Sequence, residues 1–528
     1  MTDRLCEMLA DVRSTQYAFI ADGTPVWLDL AIELKRRTGI TPSFWLGHPN
    51  HLEEAKDCFP DCEVWDERRI NFGDFPRNQG ECLPRVVRQS PTYAKFELAA
   101  LNSLDRNELF REIATRDRML FLTSLGDFLW SRCCNTPVRG VVASQAPHSP
   151  GGLLLSGMMQ ALGHSLLHFV QVPIAPFMIP RRGFGYEEVE INGLPSESHR
   201  EDLSAETSVF LDEWFRNASE GKIAPWEHTN SRMETELKGL RGHVRRLKYG
   251  RRHMRDLWTN YATLDVHPLA ESSGKPSMLD VWRAERARAA RLGRIRQELQ
   301  RRQSDSQAPG RFGVFLLHFE PEKTTMPDGG LGDSQIAMVR RARRLLPDDV
   351  ALIVKEHPSQ IKLATNGYLG RAMGFYREVS EISGVRLVSE IGEARRWLAE
   401  AEVVFTVSGT VGLEAALLGT PLLYFGHPWY AGIPGTMSVA EVGSEEADDF
   451  WGRLPPRAEP LDIRSAVERI LGTEALRGFV SPGDARRFAG DGWQERYELE
   501  GLVTVVAKHL AIEDTISGSV SFDNPRFC

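Results

Sequence analysis

Cysteine is scarce in this chain: seven residues are scattered through 528. That pattern makes no disulfide framework and points to a reducing, cytoplasmic setting. Cys58 and Cys62 have the spacing of half a zinc site and Cys133 and Cys134 are adjacent. No second ligand pair sits at the usual spacing, so no metal is expected. No apolar run reaches the roughly 18 to 20 residues that a membrane span needs. The opening MTDRLCEMLADVRSTQ lacks the basic and apolar regions of a secretory signal. There is no excess of positive charge either: the net charge is −8 and the pI near 6.0, which argues against nucleic acid as the partner of the whole chain. No repeat recurs at a fixed period. What remains is a soluble globular composition, 42% hydrophobic and 26% charged, on a length that calls for two or three domains.

The most informative stretch is Val403 to Gly435, VVFTVSGTVGLEAALLGTPLLYFGHPWYAGIPG. Val403 to Val407 reads as a short buried strand, Ser408-Gly409-Thr410 as a tight turn, and Val411 to Leu418 as a helix stopped by Gly419 and Pro421. Leu422 to Phe425 is a second strand, completing a βαβ unit. Gly409 lets a ligand approach the backbone, while Ser408 and Thr410 are placed to cap the helix. Its free N–H groups and positive dipole end suit a phosphate. Glu414, four residues after Thr410, lies on the same helix face, where its carboxylate can meet ribose hydroxyls. The plainer alternative is a structural turn with Glu414 facing the dipole. Upstream, Ala351 to Pro358 puts Lys355 and His357 of a Lys-x-His-Pro at the carboxyl end of another strand, where open α/β sheets gather ligands.

Taken in order, Tyr17 to Ile20 (strand), Trp27 to Thr38 (helix) and Ser43 to Leu46 (strand) start a first α/β half. Asp66 to Ser90 reads as a long polar loop. Helices are expected over Ala94 to Ser103 and Arg106 to Ala114, and a buried strand over Met119 to Thr123. Val141 to Ser144 is a clear strand leading into a loop with His148, a candidate general base or substrate ligand. The competing reading is a loop histidine bonded to backbone. Leu166 to Val170 is another strand, followed by an extended, proline-rich segment to Arg182.

From 201 to 303 the texture turns helical and basic, above all Arg241 to Arg255 and Arg283 to Arg302. That segment is either a solvated connection or a face for anionic lipid headgroups or an anionic glycan. A second α/β half follows over 304–470, with a helix from Ser334 capped by Asp333. Residues 471–528 are read as terminal helices ending in a disordered tail from Ser517.

Four motifs in the second half occur together: Phe-Glu-Pro-Glu-x-Thr-Thr (319–325), Asp-Ser-Gln (333–335), Val-Lys-Glu-His-Pro-Ser-Gln (354–360) and Ser-Gly-Thr-x-Gly-x-Glu-Ala (408–415), closing on Phe-Gly-His-Pro-Trp-Tyr-Ala-Gly (425–432). Over roughly 312 to 435 this set resembles the capsule polysaccharide biosynthesis family, which includes bacterial Kdo transferases. The resemblance implies a GT-B glycosyltransferase. Residues 1–200 would be a Rossmann-like acceptor domain facing a cleft, 201–303 a helical basic insertion, and 304–470 a Rossmann-like donor domain. It also implies a nucleotide-sugar donor, CMP-linked, held by Lys355, His357, Ser408, Gly409, Thr410 and Glu414. The acceptor would be a glycan or glycolipid, met at the inner face of the cytoplasmic membrane. Neither metal nor separate cofactor is implied. In the loop after the first strand of that half the family's catalytic acid is more familiar as Asp; here Glu322 and Glu320 are offered, with Glu322 the better placed. A nucleotide-sugar epimerase, a glycerophosphate polymerase and a silent assembly or export accessory are the competing classes.

Overall fold

The structure is a computed structural model that describes residues 16–76, 80–104, 115–133, 138, 140–173, 176–185, 187–188, 208, 211–212, 216, 278–304, 310–320, 322–330, 334–362, 367–389, 394–442, 450–489 and 499–517. The expected helix 106–114, the basic run 241–255, the linker residues 305–309, the Asp333 cap and the tail 518–528 lie outside them. The chain divides into two compact units: Met1–Asn102 with Ala114–Glu201 and Thr473–Cys528, and Ser103–Ile113 with Asp202–Gly472. Each is an α/β unit on a largely parallel sheet, as the alternating pattern predicts.

In the first unit, β1 (Gln16–Ala21), β2 (Thr41–Gly47), β3 (Glu63–Asp66), β4 (Val141–Ala143) and β5 (Leu166–Gln171) are parallel. β6 (Phe177–Arg182) and β7 (Glu187–Glu188) continue the edge antiparallel. β1 lies between β2 and β4, so the chain runs outward through β2 and β3 and then restarts on the other side. Loops on either side of such a reversal part and leave a crevice at the strands' carboxyl ends.

The apolar residues of β1 and of helix α1 (Val26–Thr38), among them Phe19, Trp27, Leu30 and Leu34, form the core with Leu502, Val506 and Leu510 of the C-terminal helix Leu499–Ser517. The strand Leu476–Arg477 pairs with β6. Residues after 473 therefore complete the first unit rather than standing apart.

Two local readings change. Met119 to Thr123 lies inside a helix, α3 (Thr115–Cys133). Its buried positions Phe121, Leu122, Leu125, Phe128 and Leu129 follow the helical period, which a five-residue apolar window is too short to reveal. The polar stretch after Asp66 also starts as a helix, α2 (Glu67–Asn71), with the Asp66 carboxylate accepting from the Arg69 N–H at 3.2 Å. Helix α4 (Pro150–Ala161) follows β4 and is capped by Ser149.

The second unit carries a six-stranded parallel sheet in the order β10-β9-β8-β11-β12-β13. Its strands are β8 (Phe312–Leu316), β9 (Ala351–Lys355), β10 (Val385–Val388), β11 (Val403–Thr406), β12 (Leu422–Tyr424) and β13 (Thr436–Ser438). The reversal falls between β8 and β11. Helix α5 (Met278–Arg302) belongs to this unit: Leu292, Ile295 and Leu299 enter its core, while Arg283, Arg286 and Arg294 stay exposed. Helix α6 (Gln335–Arg344) is capped by Ser334, whose hydroxyl accepts from the Ala337 N–H at 3.2 Å. The Glu298 carboxylate of α5 accepts from the N–H groups of Gly374 and Arg377, covering the start of α7 (Phe375–Ser380). No described helix is long and apolar enough to cross a membrane.

Candidate functional site

The second unit gathers the site at the reversal between β8 and β11. His318, just past β8, is buried, and its Nε2 accepts from the Val407 N–H at 3.2 Å and lies 2.9 Å from Thr406 Oγ1. With Nε2 accepting, the neutral ring carries its proton on Nδ1. Burial first, then His357 and Arg371, push its pKa down to about 3. This imidazole is the floor on which the 408–410 turn rests. A Cβ on Gly409 would come within 2.7 Å of its Cε1, so the turn needs glycine.

The turn differs in one respect from expectation. Gly409 is the N-cap of α8 (Thr410–Leu417), and no side chain caps that helix. The Ser408 hydroxyl instead donates to the Thr324 carbonyl at 2.7 Å. Ser408 thereby ties the turn to the loop after β8, and the helix start is left for a ligand's oxygens. Beneath it, the Tyr430 hydroxyl donates to the Gly409 carbonyl at 2.5 Å. Gly412 makes room for it: a Cβ there would lie 2.3 Å from that hydroxyl. Burial first, and then Glu414, raise the Tyr430 pKa, which keeps it a donor. Glu414 is half-buried on the same helix.

Glu322 stands in the loop so anchored. It is exposed, its carboxylate accepts from the Thr324 hydroxyl at 2.9 Å, and its carbonyl accepts from the Thr325 N–H and hydroxyl. Glu320 is differently occupied, because its carboxylate pairs with the Arg371 guanidinium. Arg371 is wholly buried and uses every nitrogen. Nε and Nη2 reach the Glu356 carboxylate at 3.0 and 2.9 Å, Nη2 also reaches the His318 carbonyl at 3.0 Å, and Nη1 takes Glu320. Tyr376 donates to Glu356 at 2.7 Å. Gln360 Nε2 donates to the Glu320 carbonyl, while its Oε1 accepts from the Glu320 N–H, both at 2.8 Å. The loops after β8 and β9 are thus one block fixed from below. Burial opposes the charge on Arg371, but Glu356 and Glu320 more than offset it and raise its pKa.

His357 sits on that block. Its Nδ1 accepts from the Ser359 N–H at 3.1 Å, so the neutral ring carries its proton on Nε2. Burial and then Lys355, Arg371 and Lys362 push its pKa down to about 3. Lys355, itself buried at the end of β9, supplies positive charge beside it.

Glu320, Glu322, Lys355, His357 and the 408–414 turn and helix are therefore brought to one edge of one sheet. His148 is elsewhere, in the first unit, where its Nδ1 donates to the Ala146 carbonyl at 3.0 Å. Sequence pattern alone does not single out His318, Glu356, Arg371, Tyr376 and Tyr430. Glu356 lies inside the Lys-x-His-Pro motif, Tyr430 inside the closing 425–432 motif and His318 at a strand end, so these three carry a local signal. Arg371 and Tyr376 carry none.

The histidines set a pH dependence. His318, His357 and His509 of the C-terminal helix are all pushed from 6.5 down to about 3, burial being the first cause in each. A lowered histidine pKa means the fold favours the neutral ring. That stability is complete above about pH 6.5 and is lost as pH falls towards 3, by about 1.4 kcal/mol per group per pH unit. The denaturation midpoint is expected to fall steadily between pH 7 and 5. A flat profile would place these rings in contact with water.

The family model described as capsule polysaccharide biosynthesis protein matches residues 327–451. This span overlaps the motif region and holds all of the described site except the loop after β8. The capsule polysaccharide modification protein LipA of Neisseria meningitidis serogroup B is 33% identical over 79 residues, which are 15% of this chain and 10% of that protein. The chain thus spans about a tenth of that curated relative's length. Among solved structures, the Thermosulfurimonas dismutans KpsC β-Kdo 2,4 transferase is 20% identical, with 34% of this chain and 54% of that one covered and a TM-score of 0.20. The KpsC β-Kdo 2,7 transferase of the same organism is 16% identical, with 44% and 68% covered and a TM-score of 0.22. The UDP-GlcNAc 2-epimerase of Neisseria meningitidis bound to UDP-GlcNAc covers 94% of this chain and 99% of its own at 12% identity, with a TM-score of 0.18. Structural likenesses of that size carry no argument about activity.

Proposed function

We propose that the chain is a metal-independent glycosyltransferase of bacterial surface polysaccharide synthesis. It would move a sugar, Kdo-like, from a CMP-linked donor to a glycan or glycolipid acceptor at the cytoplasmic face of the membrane. The observation that carries this reading is the uncapped start of α8 at Gly409, at the same sheet edge as His357 and Lys355, with its turn tied through Ser408 to the loop that carries Glu322. Amide N–H groups at a helix start, an imidazole donor and an ammonium suit a phosphate, and they stabilise its growing charge as it leaves. Departure of the phosphate makes the anomeric carbon positive, and a carboxylate opposite stabilises that charge as nucleophile or base. The family match over 327–451 supports the placing of the pathway.

A thermal-shift panel of CMP, UDP, CDP and GDP tests the donor. CMP at a hundredfold excess over its Kd is expected to add about 2.7 kcal/mol of stability. UDP as the stabilising nucleotide would move the protein to the epimerase class, and no response to any would leave the accessory role. In calorimetry, Ser408→Ala combined with Thr410→Ala is expected to weaken CMP binding at least tenfold: the first releases the turn from the Thr324 carbonyl, and the second removes a hydroxyl at the helix start, where one charge-assisted bond is worth roughly 1.5 to 3 kcal/mol. Unchanged affinity would make the turn structural only.

A further inference from the structure

His318 has one polar atom that the protein does not use. Its backbone N–H donates to Gln335 Oε1 at 2.7 Å, and its carbonyl accepts from Gln335 Nε2 at 3.1 Å and from Arg371 Nη2 at 3.0 Å. In the ring, Nε2 accepts from the Val407 N–H at 3.2 Å and lies 2.9 Å from Thr406 Oγ1. A backbone N–H can only donate, so the neutral imidazole keeps its proton on Nδ1. Among the described residues nothing accepts from that Nδ1–H.

Such a donor is rare, because a buried N–H without an acceptor has given up water for nothing. His318 is 7% exposed, and the two side chains that grip its backbone, Gln335 and Arg371, are 2% and 0% exposed. The fold thus commits a buried amide, a buried guanidinium and the end of β11 to fixing one ring, and leaves its N–H open. The ring lies against the start of α8: a Cβ on Gly409 would meet its Cε1 at 2.7 Å and lie 3.6 Å from Nδ1. Burial first, and then His357 and Arg371, hold its pKa down to about 3, so His357 shares the same corner.

We propose that His318 is a ligand of the donor phosphate, its Nδ1–H donating to a phosphate oxygen held at the start of α8. The identity of the anion rests on the nucleotide-donor reading. The open donor does not. A neutral ring suits the task, since it brings no charge of its own to be stripped of water, while the charge on the oxygen strengthens the bond. Gln335 and Arg371 are then positioning residues, which hold the donor in place before the ligand arrives.

Two substitutions separate this role from a structural one. His318→Gln keeps an acceptor at the Nε2 position for the Val407 N–H and removes the donor at Nδ1. His318→Asn keeps a donor near the Nδ1 position and gives up the Val407 bond. In calorimetry on the full chain, His318→Gln is expected to weaken CMP about tenfold or more, with a melting temperature close to that of the wild type. His318→Asn is expected to melt earlier but, measured below its transition, to hold CMP within about threefold of the wild type. Proton–nitrogen correlation spectra of the imidazoles give a readout on the unaltered protein. The Nδ1–H proton of His318, assigned by its loss in His318→Gln, is expected to move downfield on saturation with CMP, while Nε2 keeps the shift of an unprotonated nitrogen. Equal CMP affinity in His318→Gln and wild type, or an Nδ1–H proton unmoved by bound CMP, overturns the proposal and leaves the donor reading standing. If CMP does not bind the wild type, the donor reading falls instead and inorganic phosphate decides. Phosphate that shifts the Nδ1–H proton supports the ligand role, and phosphate that leaves it unmoved overturns that role as well.

Discussion

Glu322→Gln is expected to cut sugar transfer by roughly two orders of magnitude or more while CMP affinity stays within a factor of a few. The substitution keeps size and hydrogen bonding and removes the charge. Binding is expected to survive because the proposed phosphate ligands are on other elements: the start of α8, His357 and Lys355. Turnover falls because the carboxylate serves only once positive charge develops at the anomeric carbon. The surroundings favour Glu322 over Glu320 for this task. Among the described residues the exposed Glu322 carboxylate is bonded locally, to Thr324, whereas Glu320 is committed to Arg371 and held by Gln360. Near-normal turnover in Glu322→Gln would move the chemistry away from this loop. Joint loss of binding and turnover would make Glu322 a donor ligand.

Arg371→Met should be the most damaging single change to stability in the second unit, about 3 to 5 kcal/mol in urea unfolding. Methionine fills much of the volume but leaves the Glu356 carboxylate, 1% exposed, without its countercharge. The cost comes mainly from that abandoned charge, so removing it as well is expected to recover part of the loss. The double variant Arg371→Met with Glu356→Gln should be more stable than Arg371→Met by at least about 1 kcal/mol. A double variant no better than the single would mean that packing on Phe375, 4.4 Å from the guanidinium, is what Arg371 supplies. Because Arg371 also fixes the Glu320 loop, donor affinity should fall in both variants.

The parts of this site that could be read in the sequence are those whose chemistry is local. A small-residue turn between a strand and a helix, and a Lys-x-His-Pro at a strand end, announce themselves within a dozen residues. So does the loop that carries Glu322. The support beneath them is not local: Arg371 meets Glu320 at a separation of 51 residues, and nothing in Arg-Ala-Met-Gly-Phe-Tyr marks a buried guanidinium. Glu67 is hidden for a related reason. Beside Asp66 and before two arginines it looks like solvated surface, and only the return of the chain at Ser149 reveals a half-buried carboxylate that accepts a hydroxyl's hydrogen bond. Ser408 does not cap α8 because it has a better partner in Thr324, 84 residues away, than its own helix. Short apolar windows such as Met119 to Thr123 do not distinguish a strand from a turn or two of helix. The docking of Leu499–Ser517 on α1 could not be foreseen, since an amphipathic helix states that it needs a partner and not which one.

Hydrogen–deuterium exchange of the full chain with and without saturating CMP tests the central claim most directly. If the second unit's reversal holds the donor nucleotide, protection should concentrate in peptides covering 355–361 and 408–414, with a smaller effect at 318–325. Peptides covering 16–23 and 144–152 of the first unit should be unchanged. Protection confined to the first unit, or no protection anywhere at a CMP concentration that saturates calorimetric binding, would contradict the assignment of Gly409, Thr410 and His357 as the phosphate site.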